Sequence, residues 1–213
     1  VIIIDADLGL GNVDIALGLI PKYTLANVVR NEVDILDILI EYQYGLKIIA
    51  GGSGIKDLIN LPKDKLNSIL DSLYLLNDMT DYLLIDTGAG LNNSVISFTK
   101  AADEVIFIVT PEPTSITDTY AVIKNISTEE KNIKIIVNRI ESSDEGYEIF
   151  NKINAATKKF LNVELENLGF IYEDQIVKKS IMEQSPFMIA YPNSIASQAI
   201  NLIAYNLVNN TSN

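Results

Sequence analysis

Short, largely apolar runs punctuate this chain: Val1 to Ile4, Leu46 to Ala50, Tyr82 to Ile85, Val105 to Val109, Ile133 to Val137 and Leu168 to Ile171, the second and fifth each holding one lysine, Lys47 and Lys134. None alternates polar and apolar residues cleanly, so each predicts a strand buried on both faces. Between the runs, apolar residues recur at helical spacing. Lys63 to Asn77 carries Leu66, Ile69, Leu70, Leu73 and Leu76, and Ser115 to Ile126 carries Ile116, Tyr120, Val122, Ile123 and Ile126. A last helix is predicted from Ser194 to about Val208. This rhythm of strand and helix predicts an α/β fold, a mostly parallel twisted sheet with right-handed crossovers and helices on both faces. Ligands of such sheets bind at the carboxyl ends of the strands. No repeat or linker interrupts the pattern, so residues 1–208 are expected to form one α/β domain and 209–213 a polar tail.

Composition narrows the chemistry. With 213 residues, 48% of them hydrophobic, the chain is long enough for a generous core. No apolar run approaches the roughly 18 residues needed to span a bilayer, and the last helix has no lysine or arginine with which to hold a membrane surface. A soluble, cytoplasmic protein is therefore expected. The absence of cysteine rules out disulfides and thiolate metal sites. The net charge of −12 disfavours nucleic acid and anionic lipid as partners, because both need a cationic patch. Without histidine, proton transfer near neutral pH must use carboxylates, lysine, tyrosine or an activated water.

The strand ends carry the candidate site. Val1 to Ile4 runs into Asp5-Ala6-Asp7, Tyr82 to Ile85 into Asp86-Thr87-Gly88, Val105 to Val109 into Thr110-Pro111-Glu112, and Ile133 to Val137 into Asn138-Arg139. In a parallel sheet these ends share a rim. Neighbouring strands that end in carboxylates need a cation or solvent between them, since an unpaired buried charge is strongly unfavourable. Mg²⁺ with a phosphate satisfies that need. Each aspartate alone would suit a turn or an N-cap equally well. Gly9-Leu10-Gly11 imitates a dinucleotide fingerprint, but Asp14 stands in place of the third glycine and the preceding aspartates would repel a pyrophosphate. Asp86-Thr87-Gly88-Ala89 imitates the active-site turn of retroviral-type aspartic proteases, whose all-β fold conflicts with the helical spacing here.

Taken together, these segments resemble the MinD/ParA-type deviant P-loop ATPases, and within them the flagellar-number regulators called FlhG, YlxH or FleN. The likeness is carried by Ile2 to Leu19, Tyr82 to Gly90, Val109 to Asp118, Val137-Asn138-Arg139, Leu168 to Asp174, Gln184-Ser185-Pro186 and Tyr191 to Ser194. It implies ATP or ADP with Mg²⁺ as cofactors. Asp5 would lie by the magnesium, Asp86 would hold it through water as the Walker B aspartate, and Asp7 would position or activate the attacking water. Asn12 and Gly88 would fall in the switches near the nucleotide, Asn138 would read the adenine, and Glu173 and Asp174 would sit in the loop closing over the base. The resemblance also implies an ATP-bound homodimer, a role in flagellar number or placement, and the flagellar GTPase FlhF as a partner. Membrane attachment in the family uses an amphipathic helix not seen in these residues. Division-site or plasmid partitioning, and a non-catalytic interaction module, are the alternatives.

One departure matters. The family's phosphates are cradled by a glycine-rich loop ending in Gly-Lys-Thr or Gly-Lys-Ser, and these 213 residues contain neither. The chain opens inside its first core strand, expected to be central in the sheet, so the front of the domain is expected to be missing and the chain as it stands inactive. Gly51-Gly52-Ser53-Gly54 is no substitute, because Lys56 is out of register; it reads as a plain loop of the kind that lines the dimer face in relatives.

Overall fold

Strand β1 (Ile2–Asp5) buries Ile2 and Ile4 completely, and it lies between two parallel neighbours, β3 (Lys47–Ile49) and β4 (Leu83–Asp86). The strand that opens the chain is thus interior, as its unbroken apolar character predicts. A two-residue strand, β2 (Ile40–Glu41), adds antiparallel to β3 and completes the order β2-β3-β1-β4. It is too short to leave a periodic signal. The computed structural model describes residues 1–7, 10–52, 61–129 and 131–210, with the side chain of residue 210 left aside. Leu8, Gly9, Ser53, Gly54, Lys56 and the tail from Thr211 lie outside the described residues.

The chain divides into two compact units, Val1–Ala101 and Ala102–Asn213. In the first, α1 (Val13–Ala16) and α2 (Leu25–Val29) follow β1, and α3 (Lys63–Leu73) and α4 (Asn93–Ala101) flank β4. Its core joins Ile2, Ile4 and Ile49 to Leu25 and Ala26, to Leu66, Ile69 and Leu73, and to Phe98. The apolar positions of α3 are the ones its helical spacing marks. The helical run predicted to Asn77 tightens after Leu73 into a 3₁₀ helix, Tyr74–Met79, which turns the chain toward β4.

The second unit holds β5 (Glu104–Val109), β6 (Asn132–Ile140) and β7 (Glu166–Tyr172), all parallel, in that order. Its helices are α5 (Pro113–Ile126), α6 (Ser143–Leu161), α7 (Gln175–Met182), α8 (Phe187–Ala190) and α9 (Ile195–Asn210). Helix α6 is set by its ends: the Ser142 hydroxyl accepts the Glu145 N–H at 3.3 Å, and Asn162 closes it in the left-handed region at φ 56°. Successive residues of β7 point to opposite faces. An added Cβ at Gly169 would lie 2.6 Å from Ile203 of α9, whereas Phe170 crowds Gly146 of α6. Helices therefore cover both faces of this sheet, as expected.

Lys134, 1% exposed, spans the three strands: its Nζ lies 3.1 Å from both oxygens of Glu104 on β5 and 3.9 Å from Glu166 on β7. A lysine this deep needs such partners, and the triad ties the strand register together. The parallel α/β architecture leaves no room for the all-β protease reading. Among the described residues, no helix is long and apolar enough to cross a membrane.

Candidate functional site

The carboxyl ends of β1 and β4 lie side by side, with Asp5 and Asp86 paired in register and the Ala6 N–H donating to the Asp86 carbonyl at 2.7 Å. Asp5 is 1% exposed. Its Oδ1 accepts the Asp7 N–H at 3.2 Å and its Oδ2 the Val13 N–H at 3.1 Å, so it also caps the first turn of α1. The turn-forming and the metal-side readings of this aspartate are compatible. Asp7 accepts the Leu10 N–H at 3.2 Å, and an added Cβ at Gly88 would lie 3.0 Å from the Asp7 carboxyl. Close glycines on both loops thus let the carboxylates approach: a Cβ at Gly11 would come within 2.8 Å of Asp5 Oδ2. Gly51 and Gly52 back the same strand end, against the Asp5 carbonyl and the Thr24 hydroxyl. The residues expected from sequence in this half, Asp5, Asp7, Asn12, Asp86 and Gly88, are brought together. Asn12 takes part through its backbone, whose hydrogen bond to Asp5 joins those of Asp7 and Val13.

The electrostatics are those of a site short of positive charge. Burial raises the Asp5 pKa, and the backbone hydrogen bonds only partly oppose it. Asp86 is likewise raised, first by desolvation and then by the charges of Asp5 and Asp7. Among the described residues, no group of three or more His, Cys, Asp or Glu side chains converges as an all-protein metal cage. The donor set nonetheless fits Mg²⁺, a hard cation that keeps several waters and takes one or two carboxylates plus phosphate oxygens.

A stability prediction follows from the sign of these shifts. A carboxyl with a raised native pKa contributes stability below its unfolded pKa, near 3.8, and loses it as pH rises through the native value. Asp86→Asn should therefore stabilise the metal-free protein at pH 7 by roughly 0.5–1 kcal/mol, discounted because the side chain is exposed. That is about 1–4 °C in Tm, and the gain should shrink as the pH is lowered toward 4. Thermal melts at both pH values in EDTA check it; a variant less stable than the parent at pH 7 would contradict the assignment.

In the second unit the strand ends form a separate feature. Arg139, at φ 61°, follows β6's Asn138 and reaches both neighbours, its Nε 2.8 Å from Glu173 Oε2 and its NH1 3.5 Å from Glu112 Oε1. Glu173 holds the guanidinium above the ordinary arginine range. Glu112 is held below the usual carboxylate range, first by a hydrogen bond with the Thr110 side chain. The Arg139 N–H donates to the Asn138 side-chain oxygen at 2.9 Å. Beside this bracket opens a cleft of about 280 Å³, lined by Asn138, Arg139, Glu173 and Asp174 with the apolar Ile171, Val177, Ile181 and Met182. Its size is just under the range of small-ligand clefts, about 300–1,000 Å³.

Asn138, Glu173 and Asp174, the three candidate base-side residues, all line this cleft. Asp174 has a local task as well: its Oδ1 accepts the Ile176 N–H at 2.9 Å and its Oδ2 the Ala196 N–H at 3.3 Å, clamping the starts of α7 and α9. Arg139, Glu112 and the apolar wall from α7 were not among the expected site residues. The signal for the first two was present, because opposite charges follow the ends of adjacent parallel strands. The α7 wall is a tertiary feature.

Parallel strands with helices between them, two of the strands ending in register-paired aspartates, make up the α/β architecture of the MinD/ParA-type proteins. The septum site-determining protein MinD of Pyrococcus horikoshii, solved in complex with Mg-ADP, superposes with a TM-score of 0.81 at 23% identity, over 97% of this chain and 82% of that one. This likeness concerns the fold. No family model matches the chain. Antiactivator FleN of Pseudomonas aeruginosa is 37% identical over 206 residues, which make up 96% of this chain and 74% of FleN. The flagellum site-determining protein YlxH of Helicobacter pylori is 31% identical over 208 residues, 97% of this chain and 70% of YlxH. The chain belongs to the FleN/YlxH flagellar branch of the MinD/ParA ATPase family.

Proposed function

We propose that this chain forms the greater part of an ATP-dependent dimerisation switch that regulates flagellar number or placement. The observation that carries this reading is the register pair Asp5 and Asp86 at adjacent parallel strand ends, with Asp7 seated against Gly88 beside them. Phosphoryl transfer asks a protein for positioning and charge neutralisation more than for covalent chemistry. Asp86 would hold Mg²⁺ through water and Asp5 would flank it; the bound ion supplies charge neutralisation on the phosphate oxygens. Asp7 orients the attacking water and takes up its proton, since no histidine is available. Asn138 offers its amide to the base, Glu173 and Arg139 close one side of the cleft, and the apolar face of α7 contacts the ring.

ATP held between two subunits favours the dimer, and hydrolysis releases it. In this reading the protein is cytoplasmic, at times peripheral to the inner membrane face, and the GTPase FlhF is a partner. The likeness to YlxH, named a flagellum site-determining protein, favours the flagellar role over division-site partitioning.

Because the 213 residues contain no Gly-Lys-Thr or Gly-Lys-Ser, this chain alone is expected to bind Mg-ATP weakly and not to hydrolyse it. Donors from a phosphate loop account for much of nucleotide affinity in such sites. Titration calorimetry with Mg-ATP should show a Kd weaker than about 100 µM, less than about −5.5 kcal/mol of binding. Restoring a phosphate loop ahead of Val1 should bring tight binding and ATP-dependent dimerisation by size exclusion. A restored chain that stays monomeric with ATP would refute the switch.

A further inference from the structure

Strand β6 carries one residue more than its neighbour at the rim. Asn138 pairs with Ile171 of β7 and Ile140 with Tyr172, so Arg139 is the extra residue of a β-bulge. It sits in the left-handed region at φ 61°, where a bulge ordinarily places glycine because a side chain crowds the backbone. The ladder resumes at once, with the Glu173 N–H donating to the Ile140 carbonyl at 3.0 Å. Strain of this kind persists where the surroundings hold it, and it gathers at functional sites.

The arginine is held from two sides. Its Nε donates to Glu173 after β7 at 2.8 Å, and its NH1 to Glu112 after β5 at 3.5 Å. A planar fork gripped at two edges has its direction fixed, which a lysine in the same place would not. The bulge in turn fixes Asn138: it brings the Arg139 N–H onto the Asn138 side-chain oxygen at 2.9 Å. An N–H only donates, so the atom facing it is the oxygen, and the amide nitrogen with its two donors is turned the other way. The carboxamide lines the cleft, and this bond opposes its flipping. Its oxygen keeps a second lone pair for a ligand.

We infer that Arg139 is a positioning residue for base selection: clamped by Glu112 and Glu173, it fixes the Asn138 carboxamide in the orientation that takes a 6-aminopurine and rejects a 6-oxopurine. The inference rests on the nucleotide site proposed above. A carboxamide matches the edge of adenine with two bonds, donating to N7 and accepting from the 6-amine. A 6-oxopurine presents acceptors at both places, so the fixed oxygen would face an oxygen. Glu112 is not among the residues lining the cleft; it acts on base choice through Arg139.

Nucleosides test this on the 213-residue chain, because they carry no phosphate and call on the base cleft alone. Adenosine and inosine differ at position 6, an amine against a carbonyl. Both are titrated to millimolar concentration while the Asn138 side-chain amide is followed by heteronuclear NMR. Adenosine should shift that resonance and bind about fivefold or more tighter than inosine. Arg139→Gly permits the left-handed backbone and keeps the N–H but removes the clamp, and the preference should fall to nearly none. Glu112→Gln should lower it by about half or more, and Arg139→Lys, which keeps the charge without the fork, should retain only part of it. All three variants should melt within about 4 °C of the parent, because the ion pairs are exposed. A parent that prefers adenosine while Arg139→Gly or Glu112→Gln keeps the full preference overturns the proposal and leaves the nucleotide site standing. A parent that binds neither nucleoside, or binds both alike, overturns the base-side reading of the cleft and the proposal with it.

Discussion

Asp7→Ala, introduced into a form of the chain that carries a Gly-Lys-Thr loop ahead of Val1, is expected to slow ATP hydrolysis by about 10²- to 10⁴-fold. Mg-ATP binding should be retained. The reason lies in where Asp7 sits. It follows β1 by two residues, accepts the Leu10 N–H, and packs against Gly88 at the end of β4, next to the Asp5–Asp86 pair. In the proposed reading it is the carboxylate that would orient and deprotonate the attacking water, while Asp5 and Asp86 would serve the cation. Removing it would then take away the proton acceptor and leave the cation side intact. The variant should therefore accumulate as the ATP-bound dimer, visible by size exclusion as a complex that no longer dissociates with time. Hydrolysis at the parent's rate would remove Asp7 from the mechanism and shift the water's partner elsewhere.

The second large effect concerns stability. A Cβ at Gly51 would lie 2.5 Å from the backbone carbonyl oxygen of Asp5. Main chain cannot swing aside as a side chain can, so Gly51→Ala must push apart the ends of β1 and β3. The cost should be about 3 kcal/mol or more, a fall of roughly 6–12 °C in Tm. Gly11→Ala makes the internal comparison. There the nearest atom is Asp5 Oδ2 at 2.8 Å, a carboxylate oxygen that can rotate, and the loss of stability should be smaller. Urea denaturation of both variants tests the ordering. If Gly51→Ala proved no worse than Gly11→Ala, the close approach of the two strand ends would not be the constraint it is here taken to be.

Gly51 also shows how a correct sequence reading can miss the function of a residue. The glycine run after β3 reads as a plain loop because it lacks the Lys-Thr or Lys-Ser ending of a phosphate loop. Its physical reason is packing. Gly51 lets one strand end rest on another, and Gly52, at φ 91°, turns the chain against Thr24. Neither need can be read from neighbours in sequence, since Asp5 and Gly51 are separated by nearly half of the first unit. The same holds for Arg139. Its charge and its place after Asn138 are plain in the sequence, yet its engagement by Glu112 and Glu173 depends on β5 and β7 flanking β6.

Strand burial left the clearest trace. A strand covered on both faces is mostly apolar, and β1, β3, β5 and β6 each contain such a run, broken only by Lys47 in β3 and by Lys134 in β6, which the flanking Glu104 and Glu166 neutralise. Parallel pairing follows from the helices between them, and a shared rim of strand ends follows from parallel pairing. By these steps the sequence alone determined the α/β class and the grouping of Asp5, Asp7 and Asp86 at adjoining strand ends. Local periodicity and strand polarity are properties of a few successive residues, and so they survive in a linear string. Only the tertiary structure decided the rest: the Asp5–Asp86 register, the glycines that admit close contact, and the α7 wall of the cleft beside Arg139. Each depends on which residues, far apart in the chain, are brought within a few ångströms, and on which side of a helix the sheet leaves uncovered.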